Sequence, residues 1–134
     1  MVGRMSSHIT VVIHAGRDAV YGIARDPANL PLWAAGLAVG EPEQVDDDAL
    51  VVDSPMGRVR VVFAPRNDFG VLDHDVTLPS GETVHNPLRV VAHPHGAEIV
   101  FALRRQGDAS DEDFAKDAAA VRADLHRLKA LVEG

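Results

Sequence analysis

His74 lies in an alternating run, Val71-Leu72-Asp73-His74-Asp75-Val76-Thr77-Leu78, where it shares parity with Leu72, Val76 and Leu78 while Asp73 and Asp75 point the other way. An imidazole on an apolar face can hydrogen-bond a carbonyl or hydroxyl of a small molecule, or act as a general base near neutral pH. The plainer alternative is a core histidine satisfied by a main-chain carbonyl. Asn86 and Arg89 flank Pro87. A regular strand puts them on opposite faces, whereas a bulge at the proline brings them to one. Arg89 on an inner face would offer a two-pronged donor to a carboxylate or enolate; on the outer face it would only be solvated. Tyr21 and Trp33 are the single phenol and the single indole of the chain. Tyr21 reads as a cavity donor or a rim residue, and Trp33 as a ligand-contacting lid or a core plug.

Other combinations lead away from chemistry. His93-Pro94-His95-Gly96 reads as a hairpin turn rather than a metal site, and the acidic stretch from Glu41 to Asp53 lacks the spacing of a calcium loop. Arg58 and Arg60 share a parity opposite to Val59, Val61 and Phe63, which predicts a solvated face with Asp73 or Asp75 as partners. His126 falls on the polar face of a helix. With no cysteine, thiolate metal sites, iron–sulfur clusters, disulfides and a cysteine nucleophile are excluded. Neither a phosphate-binding glycine loop nor a nucleophile elbow is present, so no metal and no cofactor are expected. Thirteen Lys and Arg against twenty Asp and Glu leave a formal charge of -7, which repels a phosphate backbone and argues against nucleic acid as partner. No run approaches the roughly 18 apolar residues of a membrane span and Met1 to Ser7 has no apolar signal core, so a cytoplasmic location is expected.

The elements that must position these residues follow from periodicity. The 134 residues suit one domain. His8 to His14 reads as a strand, Arg17 to Arg25 as a short helix stopped before Asp26-Pro27, and Pro27 to Gly36 as a second short helix or helical turn. Between Leu37 and Gln106, turn signals separate six strands near 38–45, 49–54, 57–65, 69–78, 82–93 and 97–106. Ser110 caps a final helix to Val132, in which Phe114, Ala118, Val121, Leu125, Leu128 and Val132 recur at alternating spacings of four and three. That gives an α+β chain: a curved seven-stranded antiparallel sheet that must cover one long amphipathic helix.

With that order in view, the chain resembles the START-like, or SRPBCC, superfamily, the helix-grip fold of Bet v 1-type allergens and of the polyketide cyclase/dehydrase family. The likeness is carried by Ile9 to His14 with Arg17-Asp18-Ala19-Val20-Tyr21, by Asp26-Pro27-Ala28-Asn29-Leu30-Pro31-Leu32-Trp33, and by Asn86 to Val91, Glu98 to Leu103 and Ala115 to Leu131. It spans nearly the whole chain and reports fold rather than chemistry. The resemblance implies a cavity between sheet and helix that encloses an apolar small molecule. An Ala-rich helix against a bending sheet agrees, since it supplies few bulky side chains to fill the gap.

The leading expectation is therefore a single START-like domain that binds a small hydrophobic or aromatic molecule. Phe63, Leu72, Phe101, Leu103, Phe114, Val121 and Leu125 are expected as lining or core, and Tyr21, Trp33, His74, Asn86 and Arg89 as polar or lid contacts. A second is a cyclase or dehydratase in which His74 moves a proton and Arg89 or Tyr21 stabilises an enolate. A third is a protein-interaction module, co-chaperone-like or a homodimer through a sheet edge or the helices.

Overall fold

The computed structural model describes residues 6–134. Strand β1 (Ser6–Ile13) turns Ile9, Val11 and Ile13 inward, as the alternation requires. Helix α1 (Arg17–Arg25) buries Val20 and Ala24 on one stripe. It ends at Asp26, whose carboxylate accepts from Ala28 N and caps a single 3-10 turn over Pro27–Asn29. Helix α2 (Leu30–Trp33) follows, with Leu30 and Trp33 buried. The expected second helix of 27–36 is thus a 3-10 turn and one α turn.

Eight strands form among the described residues where seven are expected. They are β1, β2 (Glu43–Gln44), β3 (Ala49–Ser54), β4 (Gly57–Phe63), β5 (His74–Thr77), β6 (Thr83–Asn86), β7 (Leu88–His93) and β8 (Gly96–Arg104), all antiparallel to their neighbours. The strand expected over 38–45 contracts to β2, because Gly40 and Pro42 interrupt it. The long run 82–93 divides at Pro87 into β6 and β7. The hydrogen-bonded orders are β2-β3-β4-β5-β6 and β1-β8-β7.

Pro87 is where these two halves meet. It has no N–H to give, but its carbonyl accepts from Ala102 N at 3.0 Å, and residues 70–72 run alongside β7 through Leu72 N to Leu88 O and Val90 N to Gly70 O. Val71 sits opposite Arg89 in the same register that sets His74 opposite Asn86. The sheet therefore continues through the proline without a change of parity: Val84, Asn86, Leu88 and Val90 face inward, and His85 and Arg89 outward. The bulge that would have carried Asn86 and Arg89 to one face does not form.

Helix α3 (Asp111–Glu133) starts where Ser110 Oγ accepts from Asp113 N at 3.0 Å, with Asp111, Glu112 and Asp113 at the positive end of its dipole. Its C-terminal half is clamped to the sheet. Leu125 and Leu128 are buried, Lys129 Nζ donates to Val12 O at 3.0 Å, and Glu133 accepts from His14 N at 2.9 Å. Along the N-terminal half, Phe114, Ala118 and Val121 are only half-buried. The helix is fixed at one end and stands away from the strands at the other. No helix among the described residues is long and apolar enough to cross a membrane.

Candidate ligand-binding cavity

Where α3 stands away, a cavity of about 370 Å³ remains. Phe63 (β4), His74 and Val76 (β5), Leu88 (β7) and Phe101 (β8) form its floor, and Ala120 and Val121 its roof. Leu30, Trp33 and Leu37 close one side. Two bonds hold that side to α3: Gly36 N donates to Asp124 Oδ2 at 3.2 Å, and Arg127 Nε to the Trp33 carbonyl at 3.3 Å. Burial raises the Asp124 carboxyl above its ordinary pKa, against the lowering pull of Gly36 and Arg127.

A substitution in the ladder determines the chemistry of His74. Leu88 N, which faces Leu72 in this register, donates to Asp73 Oδ1 at 2.9 Å instead of returning the Leu72 bond. The Leu72 carbonyl then accepts from His74 Nδ1 at 2.9 Å. A carbonyl only accepts, so Nδ1 carries the hydrogen and Nε2 presents a lone pair. His74 is 5% exposed, and its Nε2 has no partner among the described residues yet is not sealed off, which leaves it open to the cavity it lines. Phe63 and Phe101 flank the ring at 5.1 Å and 6.4 Å between centroids. Burial lowers the His74 pKa below 6.5, against the opposing pull of Leu72 and of Asp73 and Asp75, with His85 assisting the decrease.

That shift has a stability consequence. The unfolded chain takes up a proton at this position near pH 6.5, and the folded ring only at lower pH. Stability contributed by neutral His74 is thus complete above 6.5 and falls as pH drops below it. In thermal melts between pH 7.5 and 5, His74→Phe is expected to lose less stability across this window than the parent; an identical loss would contradict the argument.

Asp73 completes the arrangement from outside. Burial would raise its pKa, but Arg89 and the Leu88 N–H outweigh this and hold it below 3.8. Arg89 Nη2 and Nε reach its two oxygens at 2.8 and 3.2 Å. Against Phe63, Arg25 is also enclosed, with a side chain 1% exposed. Its Cζ lies 5.0 Å from the Phe63 ring centroid, and its Nη2 donates to Asp48 Oδ1 at 2.8 Å.

Of the residues singled out from sequence, Trp33, Phe63, His74, Asn86, Phe101, Leu103 and Val121 line the cavity. The others are placed elsewhere. Arg89 faces outward on Asp73, as strand parity dictates, and so offers nothing to the interior. Tyr21 is drawn to a loop, where its hydroxyl accepts from Asn67 N at 3.1 Å. Leu72 and Leu125 are packed into the solid core, and Phe114 sits half-buried at the loose end of α3, outside the lining. Arg58 pairs with Asp53 across β3 and with Glu43, not with Asp73 or Asp75, which are taken by Arg89 and His85. His93 and His95 form the expected turn, with His95 N donating to His93 Nδ1 at 3.1 Å.

Sequence reasoning passed over Leu30, Met56, Val84 and Ala120 in the lining. Val84 shares the parity of Asn86 and was within reach of the same argument. Ala120 lies one residue off the apolar stripe and carried no signal of its own. Arg25 was equally silent, since an arginine in the last turn of a helix ordinarily faces water.

No protein-family model matches the chain, and no curated protein matches it in sequence. Solved structures do match in shape. DynU16, from the dynemicin biosynthetic locus, superposes with a TM-score of 0.74 at 15% identity over 96% of this chain. This chain spans about half of it, 47%. The Bacillus halodurans protein BH1534 gives 0.69 at 13% identity, covering 98% of this chain and 99% of that one. Ara h 8.0201 gives 0.65 at 12% identity, covering 97% and 98%. Strand order, the two short helices after β1, the long closing helix and these superpositions together identify the architecture: the chain has the Bet v 1-like helix-grip fold.

Proposed function

We propose that the protein binds a small hydrophobic or aromatic molecule between α3 and the sheet. The observation that carries this reading is the 370 Å³ cavity, lined by Phe63, Phe101, Leu88, Val76 and Trp33 with a single buried imidazole among them. Its volume falls in the ordinary range of small-molecule sites, and apolar walls with few polar groups are what such sites use. The driving force is removal of apolar guest surface from water, at about 25 cal/mol per Å² before the costs of association.

A neutral fluorescent probe, N-phenyl-1-naphthylamine, tests it. Its emission is expected to rise on addition to the protein, and Val121→Trp, which fills the roof, is expected to weaken binding more than tenfold while leaving the far-ultraviolet dichroism intact. Unchanged probe affinity in a folded Val121→Trp protein would overturn the reading.

A second reading, a cyclase-type enzyme, is favoured by one feature: a neutral imidazole with an open Nε2 is the form a general base needs. It ranks lower because the two groups expected to stabilise an enolate, Arg89 and Tyr21, lie outside the cavity lining.

A further inference from the structure

We propose, resting on the binding reading above, that the guest is a neutral molecule with a hydroxyl on an apolar ring system, and that this hydroxyl donates to His74 Nε2. Three observations carry the assignment. First, the acceptor is built in: the Leu72 carbonyl occupies Nδ1 and so commits Nε2 to a lone pair. A guest offering only an acceptor, such as an ether oxygen, would meet lone pair against lone pair. Second, Nε2 opens onto the cavity, has no partner among the described residues, and belongs to a side chain more than nine-tenths buried. An enclosed acceptor left unpaired under an apolar guest forfeits a hydrogen bond to water, so a donor on the guest is selected. Third, Phe63 and Phe101 flank the imidazole. A ring bearing the hydroxyl would pack on these faces as its oxygen reaches Nε2.

Charge narrows the class. Among the described residues, Glu82, Asp117 and Asp124, the last of them paired with Arg127, line the cavity against one cation, Arg104. With a chain of formal charge -7, this border opposes a carboxylate or sulfonate guest. The ladder fault that frees the Leu72 carbonyl makes Asp73 a positioning residue for this acceptor, since it holds the Leu88 N–H that would otherwise return to Leu72.

The test is calorimetric titration of the intact protein with three probes of one ring system: 2-naphthol, 2-methoxynaphthalene and 2-naphthoate. The naphthol is expected to bind about tenfold more tightly than the ether, the scale of one hydrogen bond made against one left unmade, and the naphthoate most weakly. In His74→Phe the naphthol advantage is expected to vanish while the ether still binds. Nitrogen-15 spectra of the native protein supply a readout that does not depend on the variant: Nδ1 protonated, Nε2 unprotonated, and the Nε2 resonance moved by naphthol but not by the ether. Equal affinities for naphthol and ether, or an Nε2-protonated imidazole, would overturn this inference and leave the cavity reading intact. Failure of all three naphthalenes to bind would instead overturn the reading beneath it.

Discussion

Gly70→Ala is expected to cost at least about 4 kcal/mol, the range reached only when a substitution meets an immovable neighbour. Gly70 has φ +74°, and a Cβ built on it would lie 2.1 Å from the Val90 carbonyl oxygen and 3.2 Å from the carbonyl carbon. Those atoms are main chain, and they cannot retreat, because Val90 N donates to Gly70 O and Leu72 N to Leu88 O across the same approach. The segment is where the two hydrogen-bonded groups of strands join, so its displacement would also move the Leu72 carbonyl that orients His74. Gly81 provides the control. It too has a positive φ, +92°, but nothing within 4 Å of its would-be Cβ, so Gly81→Ala should cost only the ~1–2 kcal/mol of left-handed backbone. Denaturant midpoints for the two variants measure the difference, and equal losses would show that the close approach at Gly70 is unimportant.

The second large effect is expected at Asp48. Asp48→Ala leaves the Arg25 guanidinium enclosed without a carboxylate, and removing one partner of a buried pair costs about 3–5 kcal/mol. Asp48 is itself 33% exposed, which places the loss toward the lower end, a fall in melting temperature on the order of 10 °C. Among the described residues Arg25 Nε already lacks a partner, and Asp48 receives the side chain's one hydrogen bond. The double variant Arg25→Met with Asp48→Ala removes the stranded charge and is expected to recover most of the loss. If Asp48→Ala alone melts with the parent, the pair contributes nothing and Phe63 needs no support from Arg25.

How far the sequence could be read varies with the range of the interactions involved. Local periodicity was enough for α1, for β3, for β4, which ends at Phe63 two residues short of the expected bound, and for α3, whose 4-3 stripe, Ser110 cap and first-turn acids all act within a few residues. It was also enough to place His74 inward and to leave Arg89 undecided between two faces. The division of the long run at Pro87 was harder. Whether a proline in a strand makes a bulge or merely omits one bond depends on its neighbours, here Ala102 N and Asp73, which are 15 and 14 residues away.

Composition and alternation by themselves determined the class of the molecule: an acidic, cysteine-free α+β chain with one long amphipathic helix and an inward histidine. Tertiary structure alone decided that α3 is clamped at its C-terminal half and lifted at the other, that Tyr21, Leu72, Phe114 and Leu125 lie outside the space it leaves, and that Arg25 packs on Phe63. The physical reason is that a side chain's parity is a property of its own strand, whereas a cavity is a difference between surfaces contributed by segments as far apart as Trp33 and Val121. The acceptor state of His74 belongs to the same category. It depends on where one amide hydrogen of Leu88 goes, and that is settled only when two strands and a carboxylate are brought together.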